Sequence, residues 1–407
     1  MAMTRLCGVA LGVVGFGLVA AGGCNGNGGA APDAGAARAG AVGAGAGGSA
    51  AGGASVVDAA LGADAADGST CSPAPSPGPT WAELPAPPPE VAGLTVTDAW
   101  PAGEDDFFFA GSFPQSSPDG GTAAGPGWAV LRWTHGCWSV ELSRRPGSEA
   151  PPRIAGMSAT DVWLTAGDTI YHRDAQGWSA QDDAWRAAVT PNPSDDPWLS
   201  DVQPLTADEV WFATGDAILR LRNGQWQSWK LMSGQPNEPG SITRLFTRLW
   251  VGGPDDVWAA GGSDAVGTTM DPASVYHFDG TSWSIHDVGT FDVNDLWPAG
   301  APGQFWLAQP ISSNNPQNPI YSFDGTTASP SAISGWPAGT GISSLWARSP
   351  TDVWGAGQDV AHDDGAGWTR VSGTPDAVLD PKHVGSDSLV TGDATTTWLV
   401  GRGPSFF

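Results

Sequence analysis

Few residues in this chain could do chemistry, and their spacing argues against most reactions. The three tyrosines, Tyr171, Tyr276 and Tyr321, share one register in the segments TIYHRD, SVYHFD and PIYSFD, a repetition that points to packing. His172 and His277 follow two of them directly, while His135, His286, His362 and His383 are scattered over turns and strands. Cysteines stand at 7, 24, 71 and 137, with neither a CxxC pair nor a Cys/His spacing, which speaks against structural zinc. Adjacent carboxylates occur at Asp195–Asp196, Asp255–Asp256 and Asp363–Asp364. None has the alternating spacing of a dedicated loop, so calcium is the only cofactor with a foothold and no metal ligand is assigned. Nucleophile elbow, phosphate loop and metalloprotease motif are all missing, and no catalytic residue is assigned. An enzyme would have to assemble its site from separate loops.

The charge balance narrows the partners. Seventeen basic residues face 42 acidic ones, for a net charge of −25. Phosphate binding needs clustered Lys and Arg, so nucleic acid is not expected. The acids read as solvated turn aspartates that favour a soluble, monomeric body.

The elements that must position any site are strands. With 58 Gly, 35 Pro and 22 Trp, the chain is rich in turn formers and in large rings that need apolar partners. One skeleton recurs, clearest in LFTRLWVGGPDDVWAAGGSDAVGTTMDPASVYHFDGTSW at 245–283. It consists of Leu-Trp, Asp-Val-Trp, an alternating apolar run and Asp-Gly-x-x-Trp. The Asp-Val-Trp tryptophan falls at 163, 211, 258, 306, 354 and 398, at intervals of 44 to 48 residues, with DDFFFAG at 105–111 as a seventh copy. A fixed period in this range marks a propeller blade. Each copy supplies four strands, A to D, with the alternating run as half-buried strand C. The expectation is all-β: a seven-bladed β-propeller of four-stranded blades spanning 71–407. After Trp398 the chain is too short for strand D, whereas GPTWAEL, with Trp81, matches GTSWSIH of the fourth copy. An N-terminal strand is therefore expected to complete the C-terminal blade. Cys71 precedes that strand and Cys137 lies in the first blade's HGCWS turn, so the two are expected to form a disulfide, with two separate thiols as the alternative.

The N-terminus is of another kind. After MAMTR an apolar run from Leu6 to Ala21 leads into Ala21-Gly22-Gly23-Cys24, a secretory signal too short to span a bilayer. It resembles the lipobox of bacterial lipoproteins, with Ala21 where Leu is usual. The resemblance implies lipidation at Cys24, a signal peptide over 1–23 and, with Asn25 rather than Asp next, the outer membrane. Residues 24–70 are nearly all Ala, Gly, Asp and Ser, a composition that forms a flexible tether.

The repeats resemble the Trp-rich "SPTDVWAVG…DGTSW" propeller repeats of predicted myxobacterial-type lipoproteins, and more distantly kelch and Asp-box (BNR) repeats. The resemblance covers 79–407 and implies architecture, not activity. Sites are sought instead in residues that do not fit the repeat. Trp128, Trp185, Trp198, Trp229 and Trp336 fall in or beside long connections between strands B and C or between D and the next A. Arg144, Arg145, Arg153, Arg186 and Lys230 lie near them. In an up-and-down blade both kinds of connection emerge on one face, the usual place for a binding surface. The expected function is a lipid-anchored cell-envelope propeller, a non-catalytic binding or scaffold module for a glycan or protein partner. The alternative is an extracellular polysaccharide hydrolase or lyase acting from the same face.

Overall fold

The computed structural model describes residues 71, 87–91, 93–103, 105–113, 127–144, 151–181, 183–189, 198–231, 243–264, 273–289, 293–309, 319–372, 389–392 and 397–400. Signal, tether and the strand expected around Trp81 lie outside them. The first blade runs Thr95–Gly103, Asp106–Phe113, Gly127–Thr134 and Cys137–Arg144, each strand antiparallel to the next. The same four-strand order recurs in the sheets that follow, giving six four-stranded blades among the described residues.

This corrects the expectation of seven. The last sheet, Leu389–Gly392 paired with Thr397–Val400, has two strands among the described residues. The final copy also departs from the repeat in sequence, with TTTW in place of Asp-Val-Trp. The innermost strands neighbour one another in chain order. The ring closes through Leu389–Gly392, which lies against Ile342–Ser349 on one side and Thr95–Gly103 on the other.

Strand B is the buried layer; Glu209–Thr214 is buried at every position. Strand D is the outermost, and Gln225–Lys230 of the third blade is half-buried to exposed throughout. The apolar clusters lie between blades, because a single sheet cannot cover both its faces. One joins Trp211 and Ile218 of the third blade to Phe246, Tyr276 and Phe278 of the fourth. Complete burial of a side chain such as Phe212 stabilises by roughly 1.5–3 kcal/mol. Close approach near the axis requires glycine: a Cβ on Gly156 would stand 2.8 Å from the tip of Trp100. One helix, α1 (Ala184–Val189), interrupts the connection from the second blade to the third, in a chain expected to be all strand.

Candidate functional site

Strand A of each blade places one polar residue at the same register, two positions ahead of the strand A tryptophan where there is one. These are Asp98, Arg153, Asp201, Arg248, Asp295 and Ser344, on six consecutive innermost strands. Each pairs with the small residue two places after the strand B aromatic, as in Asp98↔Ala110, Asp201↔Ala213 and Arg248↔Ala260. In three blades a register shift precedes it, at Val96/Asp98, Phe246/Arg248 and Ile342/Ser344. A bulge there turns the next side chain toward the axis. The skipped residue carries a hydroxyl that meets a backbone carbonyl: Thr97 to Pro152 at 2.8 Å, Thr247 to Val293 at 2.7 Å, Ser343 to Ala356 at 3.3 Å.

The ring alternates in charge over five strands and binds each blade to the next. Asp98 accepts the Ile154 amide at 2.9 Å, Asp201 that of Leu249 at 2.7 Å, and Asp295 that of Leu345 at 2.8 Å. Arg153 donates back to the Thr97 carbonyl at 2.8 Å, and Ser344 Oγ donates to the Val390 carbonyl at 3.3 Å. Arg248 reaches three strands at once. Its Nε lies 3.2 Å from Asp295, and its Nη1 lies 3.7 Å from Asp201 and 3.8 Å from Asp98. Burial alone would lower the pKa of Arg248; Asp295, Asp98 and Asp201 outweigh it and raise it. Arg153 is pushed down, first by burial and then by Arg248. Burial raises Asp295 and pushes Asp201 up to about 6.

Above this ring lies a cavity of about 330 Å³. Its floor includes Asp98, Arg248, Asp295 and Ser344, and its wall includes Trp100, Trp250, Trp297 and Trp346, with Thr391, paired to Trp398, at the same register as those tryptophans. The lining runs from the ring toward Pro101, Val251 and Pro298, the C-terminal ends of the inner strands. It therefore lies on the side of the tight turns, opposite the long connections. The wall tryptophans also wedge between blades: Trp250 sits 5.3 Å edge-on to Phe305 of the next blade, and Trp346 is buried.

A second polar system repeats farther out. In the second blade His172 stacks on Trp163 at 4.1 Å, and both donate or face toward Asp161, at 2.9 and 3.2 Å. The fourth blade repeats this with Asp256, Trp258 and His277, and the sixth with Asp352, Trp354 and His362. Elsewhere Arg takes the imidazole's place: Arg220 lies over Trp211 and pairs with Glu209 at 2.7 Å, and Arg132 lies over Phe108 and pairs with Asp106 at 2.7 Å. The fifth blade has Gln304 and Ser322 at these positions, and its Trp306 indole N–H has no partner among the described residues. His362 thus belongs to the repeat, not to a scattered set. Burial, which alone would raise Asp352, is outweighed by hydrogen bonds from His362 and Trp354, and its pKa is lowered.

The residues singled out in the sequence fall at several blade boundaries. Trp128 is buried against Tyr171 at 5.2 Å, and Arg144 donates to the Tyr171 hydroxyl at 2.7 Å. Trp185 on α1 is fully buried, with the Arg186 guanidinium over its ring at 5.0 Å and bonded to Asp168. Trp229 belongs to strand D, stacked on Trp211 at 5.5 Å, and its neighbour Lys230 pairs with Asp216 at 2.9 Å. Trp336 donates to the Thr340 carbonyl at 3.0 Å. Trp198 is 48% exposed. Arg145 and Cys24 lie outside the described residues. Cys71 is bonded to Cys137, with their Cα atoms 4.5 Å apart. Among the described residues no three His, Cys, Asp or Glu converge in a way that could hold a metal ion. Of the paired acids, Asp363 Oδ1 accepts the amides of Gly365 and Gly367 at 2.8 and 3.1 Å, and Asp256 serves Trp258; Asp195–Asp196 lie outside the described residues.

The axial ring was missed. A signal for it exists, since Asp98, Arg248, Asp295 and Ser344 each stand two residues before a strand A tryptophan. Arg153 and Asp201 have no such tryptophan and need the count back from strand B.

Fold and ring together define a β-propeller built of sequence repeats. YCF48 from Cyanidioschyzon merolae shares that fold, with a TM-score of 0.52 at 14% identity over 80% of this chain and 98% of that one. YCF48 bound to a D1 peptide aligns at 0.49 and 14% identity, over 82% of this chain and 97% of that one. The extracellular domain of a B. thetaiotaomicron hybrid two-component system aligns at 0.49 and 11% identity, over 77% of this chain and 40% of that one. No protein-family model matches the chain. No curated protein matches it.

Proposed function

We propose that this chain is a lipid-anchored cell-envelope propeller that holds a partner without transforming it, and that the partner meets it at the mouth of the central channel. One observation carries this reading. The carboxylates facing the cavity, Asp98 and Asp295, each accept a backbone amide of the next blade and share the guanidinium of Arg248. Groups committed in this way hold blades together and are poorly placed to cycle protons with a substrate. Above them the tryptophan wall presents a mixed apolar and polar surface of the kind ligands occupy. The anchor rests on the signal peptide over 1–23 and the lipobox cysteine that follows it, Cys24, and export to the outer membrane rests on the same motif.

The test is crosslinking of the full chain to envelope partners. Gln203→Arg, at a residue that lines the cavity, should abolish capture by filling the mouth. Trp198→Ala, at the half-exposed ring on the opposite face, should leave it intact. The reverse pattern would move the contact to the long-connection face, the second reading, which the exposure of Trp198 favours. Turnover of any envelope polysaccharide that survives Asp295→Asn but not Gln203→Arg would instead make the cavity a reaction site.

A further inference from the structure

We infer that the channel mouth is selective for a positively charged group, and that its occupant is a lysine or arginine side chain of a peptide partner; this rests on the channel-mouth reading above. Three observations lead there. The charged groups lining the cavity are Asp98, Asp295 and Arg248, two carboxylates against one guanidinium. Around the ring, the stretch from Asp295 through Ser344 and the Leu389–Gly392 strand back to Asp98 adds no described cation. Over the whole ring, Asp98, Asp201 and Asp295 stand against Arg153 and Arg248, an excess of one acid.

The second observation lies in the stretch without a cation. Thr391 is 4% exposed and lines the cavity, and its hydroxyl has no hydrogen-bond partner among the described residues. Ser344 beside it is already engaged with Val390, whose amide it accepts and whose carbonyl it meets, both at 3.3 Å. That hydroxyl opens onto the cavity and can accept a hydrogen bond from whatever enters it. An ammonium or guanidinium above Arg248, at the level of the wall tryptophans, would supply a donor for that oxygen.

The third observation is the face around the mouth. Its turns carry the exposed acids Asp208, Asp255, Asp279, Asp324 and Asp364. The exposed arginines on the same turns and strand ends are engaged: Arg222 pairs with Glu209 at 3.2 Å and Arg348 with Asp352 at 2.8 Å. A cleft rimmed by one sign of charge focuses the field and draws the opposite sign inward. Indole walls add to this, since a cation over a tryptophan face is stabilised by the ring's quadrupole. An anionic or neutral glycan would meet the same rim with repulsion or without gain.

The test uses the full chain in detergent and three capped pentapeptides that differ at one central residue, Lys, Ala or Glu, titrated by calorimetry with tryptophan fluorescence in parallel. The lysine peptide should bind at least tenfold more tightly than the other two, and its affinity should fall as salt rises. Thr391→Val keeps shape and removes the hydroxyl, and should weaken lysine-peptide binding by about tenfold. Gln203→Arg adds a fixed cation at the mouth and should abolish it. Near-ultraviolet circular dichroism confirms that both variants keep the native packing. Equal affinity for the three peptides, or lysine-peptide binding unchanged by both substitutions, would overturn the inference. Preference for the Ala or Glu peptide, lost in Gln203→Arg, would overturn the charge selectivity and leave the channel-mouth reading standing. Failure of all three peptides to bind, with envelope crosslinking also insensitive to Gln203→Arg, would overturn both.

Discussion

The axial ring and the outer acid–aromatic–cation units use the same chemistry, a carboxylate against a cation, for opposite purposes. The outer units are local. Asp161, Trp163 and His172 join strands B and C of one blade, and their charged side chains keep about a quarter of their surface in water, 21% for Asp161 and 25% for His172. The ring is non-local. Asp201 is 2% exposed and connects positions on different blades, as when it accepts the Leu249 amide. Water screens such half-exposed pairs and leaves them little net energy, the buried Arg220–Glu209 pair of the third blade, 8% and 6% exposed, being the exception. The ring gets no such relief, so each member depends on the others. Outer units can therefore be lost singly, as in the fifth blade, while the ring works as one assembly.

Arg248→Ala should sharpen that contrast most. It leaves Asp98, Asp201 and Asp295 without their shared cation, and a loss of about 3–5 kcal/mol is expected in urea unfolding. A loss below 1 kcal/mol would put ring and outer units on the same footing. Next comes the pH dependence of the ring. Asp201 titrates at about 6 when folded, above its ordinary value of 3.8, so within that window the folded chain holds a proton the unfolded chain has released. Its contribution to stability is accordingly full below the window and declines as pH rises through it. Asp201→Asn keeps an acceptor for Leu249 and should flatten that slope between pH 4 and 6. A smaller effect is expected outside: His362→Ala should cost about 1 kcal/mol or less in thermal unfolding. Smallest of all, Gln304→Asp with Ser322→His should give Trp306 a partner and raise stability by about 0.5–1 kcal/mol. A destabilising result there would show that the outer units are not interchangeable between blades.

Much of the fold was legible because tryptophan is rare and recurs at one period. Trp163, Trp211, Trp258 and Trp354 mark strand B unmistakably, and the alternation in TIYHRD or SVYHFD marks strand C. The blade count was not legible, because the period alone does not say whether a degenerate copy around Trp398 carries four strands. The long-connection tryptophans misled in a different way. Trp128, Trp185 and Trp336 break the repeat in sequence yet are held in the body, because a long connection also needs an apolar anchor. The ring was hardest to see. Its members are single polar residues about fifty positions apart, and Arg153 in PPRIAG looks like one more loop cation until a strand places it opposite Thr165. Charge alternation of that kind exists only once the strands stand side by side.

The guanidinium of Arg248 has one consequence for how the disc is used. Held within 4 Å of carboxylates from three strands, it fills the bore at its own level like a stopper. Whatever docks among the wall tryptophans is screened from the long-connection side, where Trp198 meets solvent. The two faces can change independently: loops can lengthen or be exchanged on one without altering what the other admits. The molecule is built as two surfaces back to back, sharing a charged partition one residue deep.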